Sequence, residues 1–493
     1  MYVGVDLGTS VTKAAAFDRT GRMVAVHGSG TVLSSPRDGW FEQDIDEVVA
    51  SLGDVVRRVV AEVGEEPELI GLTGQGDGLW LTDAEGRAVR PAISWMDGRS
   101  SGIVRRWIDD GIVEELFRRN GGVVFPGCPA PVLAWLAAHE PESLARAETA
   151  GYCKDAMMQR LTGVRATDVS DASLPFLDPR SRTYDPGLLE LCGLTEHADL
   201  LAPIAQPRPT GRLTAEAAEL LGLSPGIPVS AGPFDLAACA RGSGVSRIGS
   251  GHVIVGTTLA CQVLVDEVDT SGEPSGLTIS IPGSPTSEHQ PTRWLRAMPT
   301  MVGTAALDWL LALVGETHAR VDDLLAQSSP GANGVLCLPY FSASGERAPF
   351  VDTAARARFS GLTVGTTKAD LVRATCEAIA FAGRHCLESA GLSGDVAVCG
   401  GGVRSAGWLQ IFADVLGRQV HVAVTSEVGA YGAVLAAFEA LGPDVSPDVD
   451  PNGWTRSGRV VQPDGAVADH YAVRYDDYLR AVARAREEWK ELL

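Results

Sequence analysis

The run YVGVDLGTSVTKAAAFD, from Tyr2 to Asp18, joins a buried apolar strand to a second strand through a turn of glycine and hydroxyl residues. About half a chain later HVIVGTTLACQVLVD repeats that design. A chain that carries one hairpin twice is constrained to two related domains, and hairpins of this type suit a nucleotide gripped between them. In the first copy Tyr2, Val3, Val5 and Leu7 hold strand-forming positions, and Asp6 interrupts them just before the turn. A carboxylate there faces a site, not a core. Gly8 permits close backbone approach or a positive φ, while Thr9, Ser10 and Thr12 add hydroxyl donors beside exposed N–H groups, a combination suited to phosphate oxygens. Lys13 adds positive charge. In the second copy Val253, Ile254 and Val255 lead into Gly256, Thr257 and Thr258, and Ala260 to Val265 carry the chain back. No acid stands at the place of Asp6, so the first hairpin is expected to handle metal-bridged phosphates and the second to supply neutral donors. Tight Gly/Ser/Thr hairpins are common as plain structure; the recurrence is what sets these apart.

With 493 residues, 45% of them hydrophobic, the chain is long enough for two substantial cores. No apolar run reaches membrane-spanning length and the N-terminus begins directly with a strand, so a cytoplasmic protein without membrane partners is expected. Nine scattered cysteines, with no CxxC pair or Cys/His cluster, exclude a disulfide framework and structural zinc. The formal charge of −21 disfavours nucleic acid or anionic membrane as a partner. An anionic nucleotide must then be held by backbone donors and a divalent cation.

Strand-like segments alternate with amphipathic helical patterns, the signature of α/β architecture. A third strand spans Met23 to His27. In GWFEQDIDEVVASLGDVVRRVVAEVG, Asp44 and Glu47 form an N-cap and N3 pair ahead of one apolar face, Val48, Val49, Leu52, Val55, Val56 and Val59. ELIGLTGQGDGLWLTD is a strand ending in a polar, glycine-rich loop, and SPGIPVSAGPFDLAACARGSG is a short strand followed by a helix starting near Asp235. The domain boundary falls between Gly242 and Gly249, giving domains 1–244 and 245–493. Further helices are expected from about Thr300 to Val314, through KADLVRATCEAIAFAGRHCLESAG, and from Ala406 after the strand VAVCGGG. The segment after Leu441 reads as a peripheral wrap ending in a charged helix.

Taken together, DLGTS, GWFEQD, TGQGDGLWLTD, ISWMDGR, KDAMMQRLTG, AGPFDLAACA, VGTT, SGERAPF and GGGVRSAGWLQIFADVLG resemble, in order and spacing, the FGGY family of carbohydrate kinases within the actin-like and hexokinase-like ATPase superfamily. The resemblance implies two ribonuclease-H-like domains with an interdomain cleft, sugar bound mainly to the first and ATP mainly to the second. It also implies Mg²⁺, and many relatives dimerise.

Phosphoryl transfer to an alcohol needs a base beside the attacking hydroxyl. Asp235, heading its helix after Gly232 and Pro233, is rigidly placed for that task, although Asp is equally a preferred N-cap. By resemblance it is the catalytic base, with Asp6 and Asp235 as the metal carboxylates. Gln75, Asp77 and Trp95 supply planar polar groups and an aromatic face for a polyhydroxyl acceptor, and the resemblance adds Gly76. Common xylulose kinases carry Met-His where this chain has Gly76-Asp77; the GQGDG form looks more like erythritol kinases. Trp80 reads as core, and Phe125 and Cys128 fall in a third substrate-side loop. Gly256 and Thr257 face the phosphates, while Gly400, Gly401 and Gly402 let the backbone approach a base or ribose. Ser405 stands where relatives often carry Asn toward adenosine. Glu346 and Arg347 in SGERAPF are expected to form a structural ion pair. The implied reaction is ATP-dependent phosphorylation of a ketopentose such as xylulose, or of a polyol such as erythritol or xylitol. An actin-like or chaperone-like ATPase is the alternative of another class, compatible with the hairpins alone.

Overall fold

A computed structural model describes residues 1–282, 293–442, 445, 448–454 and 457–491. The chain forms two compact units: Met1–Gly242 with Asp266–Leu295 and Glu427–Thr455, and Ser243–Val265 with Arg296–Ser426 and Arg456–Leu493. Among the described residues no helix is long and apolar enough to cross a membrane.

The first unit is built on β1 (Tyr2–Leu7), β2 (Val11–Phe17), β3 (Met23–Gly30), β4 (Leu69–Gly74), β5 (Thr210–Arg212) and β6 (Pro228–Ala231), side by side in the order β5-β6-β4-β1-β2-β3. β1, β2 and β3 form an antiparallel meander, and β4 is parallel to both β1 and β6. The period of two divides each strand between two cores. Val3, Val5 and Leu7 of β1 point into a core shared with the helix Ile45–Val63, whose Asp44 caps the N-H groups of Asp46 and Glu47 and whose valine face is buried as the pattern predicts. Tyr2, Gly4 and Asp6 point the other way, toward the helix Val428–Leu441.

That second face is closed by small residues. A Cβ at Gly4 would lie 2.0 Å from the carbonyl oxygen of Ala430, one at Gly71 2.5 Å from that of Ala433, and one at Gly432 1.9 Å from that of Ala238. The helix therefore rests on bare backbone, which explains why a segment so late in the chain belongs to the first unit.

In the second unit β7 (Gly251–Val255), β8 (Leu259–Val265), β9 (Val396–Cys399), β10 (Val420–Ala423) and β11 (Ser457–Val461) lie in the order β8-β7-β9-β10-β11. β7 and β8 form the repeated hairpin, and β7, β9 and β10 run parallel, so the ribonuclease-H-like plan recurs. The helix expected from Thr300 begins at Thr304, because the preceding residues pair with the hairpin: Leu259 N–H donates to the Val302 carbonyl (2.6 Å) and Thr300 N–H to that of Leu259 (3.0 Å). The closing helix Gly465–Lys490 does more than wrap the surface, since Tyr471, Tyr475, Tyr478 and Trp489 are built into the unit's core.

Gly71→Ala is expected to destabilise the protein by about 3 kcal/mol, because the added methyl meets backbone on a packed helix and nothing there can rotate away. Gly30→Ala, where nothing lies within 4 Å, is the control and should stay within about 0.5 kcal/mol. Urea denaturation measures both.

Candidate functional site

The parallel strands β1, β4 and β6 end together, and the residues that follow them build the polar site of the first unit, the usual location in open α/β sheets. Asp6 is the last polar residue of β1, opposite Lys13 on β2 and Thr73 on β4. Its Oδ2 lies 2.3 Å from where Gly429 would carry a Cβ, so the first turn of the Val428–Leu441 helix sits against the carboxylate only because that position is glycine. Lys13 pairs with Glu427 at 3.0 Å. Burial, with Lys13 opposing and Glu427 reinforcing it, pushes the Asp6 carboxyl up to about 6.

Asp235 opens the helix Asp235–Gly242 directly beyond β6. Burial pushes its carboxyl well above the usual range, and the charges of Asp6 and Asp77 push it further, against a backbone hydrogen bond at Leu236. Asp235 therefore stands within electrostatic reach of both Asp6 and Asp77. The Thr73 hydroxyl donates to the Pro233 carbonyl at 2.6 Å and fixes the segment leading into Asp235.

Beyond β4, Gln75 is buried and both ends of its amide are engaged: Nε2 donates to Gln43 Oε1 (2.8 Å), and Oε1 accepts from the Thr9 hydroxyl (2.9 Å). The same hydroxyl accepts from Trp95 Nε1 (2.8 Å), leaving the half-buried indole to present a face. Gln75 and Thr9 thus orient Trp95. Its turn is anchored by Asp97, which accepts from Phe41 N–H (2.7 Å) and Arg99 Nε (2.9 Å), while Arg99 also reaches Glu42 (2.7 Å). Gly76 backs onto the Phe234 ring, 2.2 Å from the position of its absent Cβ. Asp77 is buried with a φ of 54°, a left-handed conformation that a non-glycine residue adopts only where its surroundings impose it. Cys128 lines a small cavity with Asp77, and Gly127 in the same loop touches the Trp95 carbonyl, so the Phe125–Cys128 loop does reach the site. Trp80 is fully buried in the core.

One hydroxyl of the first hairpin is withdrawn. Thr12 is completely buried and accepts from Ser51 of the Ile45–Val63 helix (2.8 Å), because the alternation of β2 turns it inward, away from the turn of Gly8, Thr9 and Ser10.

In the second unit a separate pocket is lined by Thr304, Asp308, Asp322, Gly401, Ser405 and Trp408. The hairpin turn Gly256–Thr258 stands beside it, tied by the Thr304 N–H to the Gly256 carbonyl (2.9 Å), with Thr257 exposed. The three glycines after β9 have different reasons to be glycine. A Cβ at Gly400 would meet the Val255 carbonyl oxygen at 2.6 Å and one at Gly402 the Val255 side chain at 2.3 Å, whereas one at Gly401 would meet nothing within 4 Å. Ser405 caps the helix Ala406–Leu416, accepting from Trp408 N–H (3.0 Å) and donating to Asp322 (2.5 Å). Glu346 accepts the backbone N–H groups of Met301 (2.8 Å), Arg347 (2.8 Å) and Ala348 (3.3 Å), and burial pushes its carboxyl up to about 7 against these bonds and the charge of Arg347. Among the described residues no group of three or more His, Cys, Asp or Glu forms a metal cage.

Sequence reasoning missed Thr73, Gln43 and Glu427, whose roles depend on which strands and helices become neighbours. It also missed Lys154 and Asp168, although the adjacent charges of KDAMMQRLTG inside an otherwise apolar helix were a visible signal.

The whole chain is similar to proteins of one kind. Residues 1–242 match the N-terminal domain of the FGGY family of carbohydrate kinases and residues 254–441 the C-terminal domain. The erythritol kinase of Brucella abortus is 32% identical over 523 residues, covering 100% of this chain and 98% of its own length. The xylulose kinase of Escherichia coli is 31% identical over 462 residues, covering 90% and 91%. Among solved structures, a xylulose kinase from Rhodospirillum rubrum superposes with a TM-score of 0.86 at 30% identity, covering 99% of each chain. A ligand-bound xylulose kinase from Lactobacillus acidophilus shares the fold with a TM-score of 0.88 at 22% identity, covering 100% of this chain and 99% of its own. Matched in both halves and in order, the chain belongs to the FGGY family of carbohydrate kinases.

Proposed function

We propose that the protein transfers the terminal phosphoryl group of ATP to a hydroxyl of a small sugar or polyol, with a ketopentose such as xylulose as principal acceptor and Asp235 as catalytic base. The observation that carries this reading is the convergence of Asp6, Asp77 and Asp235 beyond the ends of β1, β4 and β6, with burial pushing Asp6 and Asp235 up. In its ionised form Asp235 can accept the proton of a hydroxyl held beside it. The acceptor oxygen bonds to the terminal phosphorus as the bond to the bridging oxygen breaks; ADP leaves, and the hydroxyl proton passes to the Asp235 carboxylate.

The under-compensated charge at Asp6 fits a divalent cation, which needs only one or two protein carboxylates. Asp6 and Asp235 are the residues to hold Mg²⁺, which when bound neutralises charge on the phosphate oxygens. Gly8, Thr9, Ser10 and Lys13 offer N–H, hydroxyl and ammonium groups to phosphate from the first unit, and Gly256 and Thr257 do so from the second. Gly400 and Gly401 form a bare wall for adenosine, with Ser405 acting as the cap that fixes the wall. Trp95 offers its face to the C–H surface of the acceptor, Gly76 leaves room beside Phe234, Gln75 orients Trp95 through Thr9, and Asp77 accepts hydroxyl protons. That buried carboxylate in GQGDG, a form resembling erythritol kinases, also favours a second acceptor class, four- and five-carbon polyols such as erythritol and xylitol.

Coupled ADP release over a panel of xylulose, xylitol, erythritol and glycerol is expected to show stimulation by one acceptor, and Asp235→Asn to lower kcat about 100- to 10,000-fold. Hydrolysis of ATP at the same rate with every acceptor and with none would instead mark an ATPase of the actin-like kind. Gly401→Val is expected to raise KM for ATP about tenfold while leaving thermal unfolding of the free protein unchanged, because its side chain enters the pocket and not the core. For Asp6 the sign is fixed by its raised carboxyl: the folded chain holds a proton that the unfolded chain releases from the ordinary value of 3.8 upward, so this group's stabilisation is complete at low pH and lost as pH rises through about 6. Asp6→Asn should therefore raise the Tm of the ligand-free protein at about pH 7.5, with a gap that closes toward about pH 4.5.

A further inference from the structure

Behind the Asp235 loop lies a group of buried charges. Lys154, at the start of the helix Cys153–Thr162, is 0% exposed, and its ammonium reaches Asp155 (2.6 Å), Asp171 (2.9 Å) and Asp168 (3.1 Å). The ammonium donates a hydrogen bond to Asp155 and forms ion pairs with Asp168 and Asp171, so its charge is spent inside the cluster. Burial pushes the carboxyls of Asp155 and Asp171 up. Replacing such a cluster with apolar residues of the same volume is often neutral or stabilising, so stability alone gives no reason for this one. Its contacts do.

Both oxygens of Asp168 accept from the Ser170 hydroxyl (2.9 Å each), and the Ser170 oxygen accepts the backbone N–H of Phe234 (2.9 Å). Asp168 Oδ2 also lies 3.0 Å from where Gly232 would carry a Cβ. From the opposite side the Thr73 hydroxyl holds the Pro233 carbonyl (2.6 Å). Gly232, Pro233 and Phe234 are thus fixed one after another, and the next residue is Asp235.

We propose that Lys154, Asp168 and Ser170 form a positioning network that aims Asp235, touching no substrate themselves; this rests on the reading of Asp235 as the base. Lys154 holds Asp168 in one orientation, Asp168 sets the direction of the Ser170 O–H, and that direction leaves the Ser170 lone pair for the Phe234 N–H. Misplacing a reacting group by about 1 Å costs roughly 100-fold in rate.

The test uses the whole chain with ATP and xylulose or erythritol, whichever turns over faster. Ser170→Ala should lower kcat about 10- to 100-fold with both KM values within about threefold of wild type. Thr73→Val, which loses only the hydroxyl from the other anchor, should fall in the same direction, and Thr73→Ser should restore the rate. The deciding measurement is the double variant: in an Asp235→Asn background Ser170→Ala should cause no further loss, because the network acts only through Asp235. A Ser170→Ala kcat within about twofold of wild type overturns the network, as does a loss that multiplies with that of Asp235→Asn. Wild-type turnover by Asp235→Asn alone removes the base assignment itself, a separate result from one variant.

Discussion

Everything polar in the first unit depends on how closely one helix can approach a sheet. Val428–Leu441 lies on β1 and β4 at a distance set by Gly4 and Gly71, and on the helix Asp235–Gly242 at one set by Gly432, where side chains of any size would collide with main chain. Packing at that range has no slack, since an interior as dense as a protein's transmits a displaced methylene to its neighbours. The contact also brings Gly429 against Asp6 and places Glu427 beside Lys13. An apolar interface thus sets the position of the acid nearest the turn, and the charge of that acid in turn raises the carboxyl of Asp235.

The parts of the fold that were legible are those decided within a few residues of sequence. Alternation and turn chemistry placed both hairpins, and the Asp44 cap with its valine stripe placed the first helix. The members of the candidate site in the first unit were legible too, because Asp6, Gln75, Asp77, Trp95 and Asp235 all follow strands or head helices. Their partners were not. Thr12 carries the same hydroxyl as Thr9 and lies in the same hairpin, yet strand parity sends it under a helix whose docking side no local pattern reports. Glu346 beside Arg347 looks like a pair in sequence, but the amide that the loop before Thr304 brings to its carboxylate was not legible there. That Ser405 also caps the helix after the glycines was not read from the sequence.

The two units solve opposite electrostatic problems. In the first, acids gather beyond the strand ends and are kept high by burial, a state that favours arrival of positive charge. In the second, the pocket is lined by Thr304, Gly401, Ser405 and Trp408 together with the acids Asp308 and Asp322, and the buried Glu346, outside that lining, accepts three N–H groups. With a formal charge of −21 over the whole chain, attraction of an anionic nucleotide at long range is weak, and recognition has to come from short-range donors.

The late helix has a temporal consequence. Tyr2 packs on Phe438 and Trp454, and Gly4 on Ala430, so β1 keeps one face bare during synthesis until the helix Val428–Leu441 has emerged. The final helix, with Tyr471 to Trp489, imposes the same delay on the other unit. Each unit therefore stays incomplete until its late helix is made, and the surface that helix covers is exposed until then, the period when chaperones matter most.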